Sequence, residues 1–342
     1  MEIKAIREMH DEPIFIKTED VTDEVNCAST SDGRVFSAQK AKGGVIVIAS
    51  LKEGETVDLT LSDGDNCGVV IENDEENKIL TVKIRNEIFT TYTYSDDLPK
   101  PYMGKIYTRT GESFTRCDLE TKAHPHQRSV FFGVGDINGY DLWNEKGEKI
   151  GRQEHKNFKK VSSGNVYGDI VEENIWYTDS GEKLIDEERS FRFYNQVSNC
   201  RYIDAEIKFT ATYCDIEFGD TKEAGPLGIR MSEELNAKDG NGRIKNSYGA
   251  KGEKEAWGKS AVFCEYGNDK YKVAVFDNEN NERYPTAWHI RDYGLFAANN
   301  LFFKGGLKIK KGESLSYKYR ICFADADTDM ADRFIIYNIG VK

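Results

Sequence analysis

The sequence lacks the features of a membrane or exported protein. No window approaches the roughly 20 consecutive apolar residues that cross a bilayer, and the first ten residues contain no apolar core of a signal peptide. We therefore expect a cytoplasmic protein that does not bind a membrane.

Clusters of basic residues are also absent. The 342 residues include 47 Lys and Arg against 59 Asp and Glu, which gives a formal net charge of −12. Such a surface repels phosphate backbones, so we expect no nucleic-acid partner. The sequence leaves a homo-oligomer open.

The spacing of the cysteines argues against two kinds of site. The seven cysteines are widely separated and none forms a C-x-x-C pair, so neither a zinc ribbon nor a dithiol redox motif is indicated. We predict reduced thiols. There is also no P-loop, no dinucleotide-binding glycine turn and no G-x-S-x-G elbow, which argues against nucleotide-driven chemistry and serine hydrolysis.

Helical periodicity is nearly absent, and the one helix that we predict is short and covers residues 329–338. Apolar or alternating runs recur instead, separated by turns rich in Gly, Asn and Asp. Examples are residues 45–48, 56–61, 189–194, 271–276 and 314–322. This pattern predicts an all-β protein built on a large antiparallel β-sandwich. Because aromatic density rises near residue 80, we predict a small N-terminal β module at residues 1–80 and a sandwich domain with the functional site at residues 81–342.

The most distinctive chemical segment is His124-Pro125-His126-Gln127-Arg128. On an extended chain, residues two apart face the same side, so His124, His126 and Arg128 are expected to converge. Two imidazoles and a guanidinium suit an anionic ligand, a metal ion or proton transfer to a sugar hydroxyl. The alternative is a turn at Pro125, with the histidines bonded to loop backbone.

A second segment, residues 218–230, holds several ionisable groups between glycines. Lys222 and Glu223 could tune each other's pKa in a cleft, and Arg230 follows on the same segment. The alternative is a charged loop exposed to water.

The third segment is residues 284–300. Period two places His289, Arg291 and Tyr293 on one face of a strand and Trp288 on the other. Aromatic faces beside charged groups are typical of sugar sites. The alternative is a core strand with a buried His–Asp pair.

Together these segments resemble a bacterial family known as PmoA-like, or "methane oxygenase PmoA", proteins, over residues 85–325. The resemblance is carried by His124-Pro125-His126-x-Arg128, Gly135-Asp136-x-Asn138-Gly139-x-Asp141-x-Trp143, Phe218-Gly219-Asp220-Thr221-Lys222-Glu223, Gly228-Ile229-Arg230 and Trp288-His289-x-Arg291-Asp292-Tyr293. It implies bacterial proteins encoded with sugar-use genes and a galactose-mutarotase-like sandwich. Methane oxidation is not expected, because a membrane monooxygenase needs spanning helices.

The sequence departs from this family at three positions. Gln127 stands where the family usually has a third histidine, Ser129 stands where it has glycine, and Asn300 replaces a common proline. If the missing histidine is a metal ligand in the relatives, metal binding here is in doubt. If it is a residue at the rim of the site, only the substrate preference changes.

These observations predict an enzyme that acts on a sugar or oxidised sugar derivative by acid–base chemistry, as an epimerase, lyase or hydratase. The catalytic candidates are His124, His126, Glu223 and His289. The substrate-binding candidates are Arg128, Asp136, Asn138, Trp143, Lys222, Arg230, Trp288, Arg291 and Tyr293. One alternative is a non-catalytic carbohydrate-binding protein. Another is a metal-dependent lyase or hydrolase with a divalent ion on His124, His126 and His289; no other cofactor is indicated.

Overall fold

The computed structural model describes residues 1–19, 21–64, 68–117, 123–223, 225–301, 304–339 and 341. Within these residues the chain forms 24 strands and two helices, which confirms the predicted all-β sandwich.

The strands in chain order begin with β1 (Glu2–Lys4), β2 (Met9–Lys17), β3 (Cys27–Thr30), β4 (Val35–Ala41), β5 (Gly44–Leu51), β6 (Thr56–Ser62), β7 (Val69–Asp74), β8 (Ile79–Ile84), β9 (Glu87–Thr93), β10 (Tyr102–Met103), β11 (Val130–Phe132) and β12 (Arg152–Ser162). They continue with β13 (Tyr167–Tyr177), β14 (Lys183–Tyr194), β15 (Cys200–Thr210), β16 (Ile216–Phe218), β17 (Pro226–Arg230), β18 (Arg243–Asn246), β19 (Phe263–Gly267), β20 (Tyr271–Asp277), β21 (Ala287–Ile290), β22 (Leu295–Asn299), β23 (Leu307–Ile309) and β24 (Ser314–Asp325). The helices are α1 (Gly252–Ala256) and α2 (Met330–Ile339).

The first six strands form an antiparallel sheet in the order β1-β6-β3-β4-β5-β2. Strand β5 is apolar at consecutive positions because both of its faces are covered. Val45 and Val47 belong to the core of this N-terminal sheet, whereas Ile46 and Ile48 pack against the rest of the protein.

Two eight-stranded sheets form the sandwich. One, called here the site sheet, has the order β21-β22-β17-β11-β10-β9-β8-β7, and the other has the order β12-β13-β14-β15-β24-β20-β19-β18. The main core lies between them. The alternation of β22 shows the two faces of the site sheet: Phe296 and Ala298 enter this core, whereas Leu295 and Ala297 lie on the outer face.

The division at residue 80 stays a prediction. Sheet membership changes between Ser62 and Val69, because β7 and β8 pair as a hairpin and both belong to the site sheet. Helix α2 lies within one residue of the predicted helix, and its Ile336 packs into the N-terminal core.

Two further sequence expectations concern cysteines and membranes. Cys27, Cys200, Cys214, Cys264 and Cys322 are free thiols, and Cys67 lies outside the described residues. No helix in the described ranges is long and apolar enough to cross a membrane.

Candidate functional site

The candidate site lies on the outer face of the site sheet. Strand pairing aligns Tyr102 with Phe131, Phe131 with Gly228, Gly228 with Ala297, and Ala297 with His289. Because directly paired residues share a face, this row crosses five strands and ends at His289. Only glycine fits at position 228, since a Cβ there would lie 2.6 Å from the Phe131 ring.

His289 is held as a neutral imidazole. Its neighbours Trp288 and Ile290 enter the core, so His289 faces outward, where it is buried by the loops that cover the sheet. Burial, followed by the charges of Arg291 and Lys222, lowers the pKa of His289 to about 3.

A tryptophan fixes the tautomer of His289. The indole Nε1 of Trp257, directly after α1, lies 3.3 Å from Nδ1 of His289. Because an indole N–H can only donate, Nδ1 must be the acceptor and Nε2 of the neutral ring carries the hydrogen. The remaining polar group of His289 is therefore a hydrogen-bond donor.

His289 lines a cavity of about 300 Å³ together with His124 and His126. The structure thus brings three imidazoles together from two distant segments. The other lining residues are Gln127, Trp143, Asn144, Lys222, Glu223, Arg291, Tyr293 and Leu295.

The two neighbouring histidines reach the cavity from a turn and not from a strand. The N–H of Gln127 donates to the carbonyl of His124 at 3.0 Å, and His124 has a left-handed φ of +53°. The His124 ring stacks on Tyr293 with centroids 4.5 Å apart and planes 2° apart. Backbone conformations of this kind concentrate at functional sites.

Because of this turn, Arg128 does not lie beside the two histidines, where the sequence had predicted it. A period of two holds only for extended chain, so Arg128 does not follow His124 and His126 into the cavity, and Gln127 lines it instead. Arg128 is buried, donates through both terminal nitrogens to Glu145, with Nη2 2.6 Å from Oε2, and lies over the Tyr102 ring. It pairs with Glu145 next to the turn and does not line the cavity.

A buried lysine that the sequence interpretation missed lies beneath the turn. Lys100 donates through Nζ to the carbonyl of Trp143 and lies 3.6 Å from Oε1 of Glu145. Burial lowers the pKa of Lys100 to about 8. Burial and then the Lys100 charge lower the pKa of His126 to about 4. The sequence feature that could have drawn attention to Lys100 is its place between Pro99 and Pro101, directly before an apolar strand.

Arg230 lies behind the cavity and supports it. Its Nη1 donates to Oε1 of Gln127 at 2.7 Å, and its guanidinium carbon lies 4.8 Å from the Tyr293 ring centroid. Arg291 lines the cavity, and its Nε lies 2.8 Å from a carboxylate oxygen of Glu253. Arg230 and Arg291 therefore both contact Tyr293, the residue on which the His124 ring stacks.

Lys222 and Glu223 form part of the cavity wall. Their side chains are 3.4 Å apart between Nζ and Oε1. The side chain of Asn299 on β22 donates to the carbonyl of Lys222 at 3.0 Å, which ties the loop to the site sheet. Gly225 ends the loop with φ +70°, where a Cβ would lie 2.3 Å from the carbonyl oxygen of Gly133.

Besides Arg128 and Arg230, three more of the expected substrate-binding residues do not line the cavity. Asp136 accepts the N–H of Gly139 at 2.8 Å, and the side chain of Asn138 donates to the carbonyl of Asp215 at 3.0 Å. Both fasten the loop that precedes Leu142. Trp288 is buried in the sandwich core, where its indole donates to the carbonyl of Ala261 at 3.0 Å.

The hydrogen bonding of His289 argues against the alternative of a metal ion bound by the three histidines. A neutral imidazole has one nitrogen lone pair, and in His289 that lone pair faces the Trp257 donor. Across the described ranges, no three His, Cys, Asp or Glu side chains are grouped as a metal site would require. As described, the three histidines fit hydrogen bonding and proton transfer better than they fit ligation.

The fold and the site define a two-sheet β-sandwich protein with a histidine-lined cavity on the outer face of one sheet. The chain belongs to the family of unknown function DUF6807, whose model matches residues 79–333. No curated protein sequence matches the chain.

Two solved structures of other proteins show what the chain is similar to. One is a heparan sulfate lyase HepC mutant from Pedobacter heparinus, with a TM-score of 0.37, 10% identity, and coverage of 77% of this chain and 36% of that one. Another is a glycoside hydrolase family 97 enzyme in complex with acarbose from Pseudoalteromonas sp. strain K8, with a TM-score of 0.32, 10% identity, and coverage of 75% and 33%. The chain spans about a third of the length of these proteins.

Proposed function

We propose that the protein binds a sugar or an oxidised sugar derivative in the histidine-lined cavity and transfers a proton on it, as an epimerase, lyase or hydratase does. The observation that carries this proposal is the meeting of three imidazoles with the Lys222–Glu223 pair in one cavity. The cavity volume of about 300 Å³ suits a ligand with a single small ring.

The roles of His126 and His289 follow from which of their ring nitrogens carry a hydrogen. His126 is neutral near pH 7 because of its lowered pKa, so one of its ring nitrogens can accept a proton. Glu223 is its candidate counterpart. His289 presents an N–H to the cavity side of the ring, so we assign it to stabilise a carbonyl or enolate oxygen and not to act as the base.

The other residues that line the histidine-lined cavity indicate the class of ligand. Arg291 and Lys222 supply charges for a carboxylate or a keto oxygen, and Trp143 and Tyr293 contribute to the cavity wall. The resemblance to PmoA-like proteins belongs to this proposal, because it too implies a sugar-related role.

Solvent exchange tests the proton-transfer step directly. The protein is incubated in D₂O with galacturonate, glucuronate and their 2-keto or 5-keto derivatives, and NMR follows the loss of each carbon-bound proton. We expect exchange on at least one compound, and a His126→Gln variant to slow it by about 10²–10⁴-fold. His10→Gln, which changes an exposed histidine outside the cavity, serves as the matched control.

The pH dependence follows from the sign of the shift. His126 stays neutral until the pH falls to about 4, so its acid limb should lie well below the ordinary histidine value of 6.5. Exchange that disappears with a midpoint near 6.5 would contradict His126 as the base. Binding without exchange, unaffected by His126→Gln and His289→Gln, would favour a non-catalytic carbohydrate-binding protein, and loss of activity on chelation would favour a metal enzyme.

A further inference from the structure

A second cavity lies at one end of the sandwich and shares no residue with the histidine-lined cavity. It encloses about 410 Å³ between β9 of the site sheet and β15, β20 and β24 of the opposite sheet. Its lining includes Arg109, Phe114, Asn199, Arg201 and Tyr271.

Arg201 in this cavity is a buried cation whose one carboxylate neighbour in the described part of the chain, Glu87, is exposed and distant. Its side chain is 8% exposed, and its Nε has no partner. The closest carboxylate belongs to Glu87, with 3.6 Å between Nη2 and Oε2, and that side chain is 64% exposed. A buried guanidinium has five N–H groups to satisfy, and leaving them unpaired is costly.

The other buried arginines show how unusual Arg201 is. Six of them are described, and each donates to at least one side-chain oxygen. They are Arg116, Arg128, Arg189, Arg230, Arg320 and Arg333. In the described ranges Nε of Arg128 and of Arg230 also lacks a partner. Both of these guanidinium groups nevertheless donate through Nη1 to a side-chain oxygen, whereas the one carboxylate near Arg201 lies 3.6 Å away.

The surroundings of Arg201 suit an anion with a ring. Arg109 is a second cation in the lining, and its charge, after burial, contributes to lowering the pKa of Arg201. Asn199 Oδ1 is also buried without a partner in the described residues, and as an acceptor it suits a hydroxyl on the ring and not the carboxylate. Phe114 and Tyr271 line the wall with ring centroids 5.7 Å apart. The two carboxylates in the lining, Glu87 and Asp325, are exposed at the rim.

We propose that this second cavity binds a small organic anion, a carboxylate attached to a single ring, with Arg201 as the group that pairs with the carboxylate. A guanidinium binds a carboxylate through two parallel hydrogen bonds, which would satisfy the N–H groups that the fold leaves open. Phe114 and Tyr271 contact the ring. This site is independent of the chemistry in the histidine-lined cavity.

Calorimetric titration of the full chain tests the proposal with four probes. Galacturonate and benzoate carry a carboxylate on a sugar ring and on an aromatic ring, and galactose and benzyl alcohol are their uncharged counterparts. We expect at least one acid to bind, its counterpart to bind at least tenfold more weakly, and Arg201→Met to weaken the acid at least tenfold. Which acid binds distinguishes the two sources of the ligand.

Two control variants assign the binding to this cavity. Arg152→Met removes an exposed arginine on β12 and should leave the affinity unchanged. Lys105→Met removes an exposed lysine that lines neither cavity and should also leave it unchanged. If Arg201→Met weakens no acid-binding event, or if neither acid binds, the proposal is overturned.

Stability without ligand provides a second measurement. A cation held for a ligand costs the empty protein stability, so Arg201→Met should leave the melting temperature unchanged or raise it. A fall of several degrees would mean that Arg201 holds the sandwich together, and the proposal would then be wrong.

Discussion

At the scale of single residues, the partner of one imidazole nitrogen decides the role of the other. His289 illustrates this rule, because the indole of Trp257 occupies the side of Nδ1 and leaves an N–H at Nε2. The sequence predicted His124, His126 and His289 as catalytic candidates without distinguishing their roles. The structure distinguishes them. In the described residues no indole or other side chain donates to the His126 ring, His124 is stacked on Tyr293, and His289 is a fixed donor.

Trp257→Phe should therefore release the tautomer of His289. Without the indole donor, we expect the Nδ1–H form to become populated alongside the Nε2–H form, with little loss of stability. Nitrogen-15 NMR of the imidazoles measures both forms. His155, whose Nδ1 lies 2.6 Å from Glu172, should keep its spectrum and serves as the internal control. An unchanged His289 spectrum would show that Trp257 does not set the tautomer.

Lys100→Met should raise the pKa of His126. Burial is the larger cause of the lowered value and remains in the variant, but the nearby positive charge is removed. We expect the pKa to rise from about 4 by roughly one unit, measured by NMR titration of the ring protons. Lys105→Met removes an exposed lysine of the same segment and should have no effect. A pKa that stays at about 4 would mean that burial alone sets it.

At the scale of elements, two motifs with the same sequence spacing have different geometries. His289 lies on strand β21 and obeys a period of two, so Trp288 faces the core as alternation requires. His126 lies in a turn closed by Gln127, so Arg128 faces Glu145 and not the cavity. Residue spacing alone could not separate these cases, because H-x-H is compatible with a strand and with a turn.

Gly228→Ala should disrupt the row of paired residues that supports His289. The added methyl would meet the Phe131 ring at 2.6 Å, and neither group can move without shifting β11 or β17. We expect a loss of about 1–3 kcal/mol in the free energy of unfolding, measured by urea denaturation.

A smaller residue at position 131 tests the cause of that loss. In the Phe131→Leu background, Gly228→Ala should cost less than it does in the wild type, which is the coupling that a shared contact produces. Equal costs in both backgrounds would show that the methyl group acts through something other than the ring.

At the scale of the whole molecule, one buried ion pair joins three parts of the chain. Arg333 of α2 donates to Glu12 of the N-terminal sheet, and the hydroxyl of Tyr202 on β15 donates to the same carboxylate at 3.0 Å. Both charged side chains are buried. The cluster fastens the N-terminal sheet and the last helix to the sandwich.

Arg333→Met should destabilise the protein strongly, because it leaves the Glu12 carboxylate buried without this partner. We expect a loss of about 3–5 kcal/mol in the free energy of unfolding. Adding Glu12→Gln should recover part of it, since the buried charge is then removed. Arg7→Met breaks exposed ion pairs, including one to Asp332 of the same helix, and should cost less than about 1 kcal/mol. Similar losses for Arg333→Met and Arg7→Met would contradict this account.

The sequence by itself determined the fold class and the segments that form the cavity. Alternating apolar residues and glycine-rich turns specify strands locally, since side-chain period and turn chemistry are properties of neighbouring residues. The sequence contains only five histidines, and three of them, His124, His126 and His289, lie in the segments that form the cavity.

Tertiary structure alone decided which side chains meet. The pairing of β17 with β11 and β22 places residues from distant segments in one row, and no local pattern encodes that register. Burial and charge then set the chemistry: Lys100 beneath the turn, Trp257 beside His289 and Glu145 beside Arg128 all come from other segments. Protonation depends on the desolvation and the charges that folding brings together, so the cavity's chemistry follows from packing and not from motif.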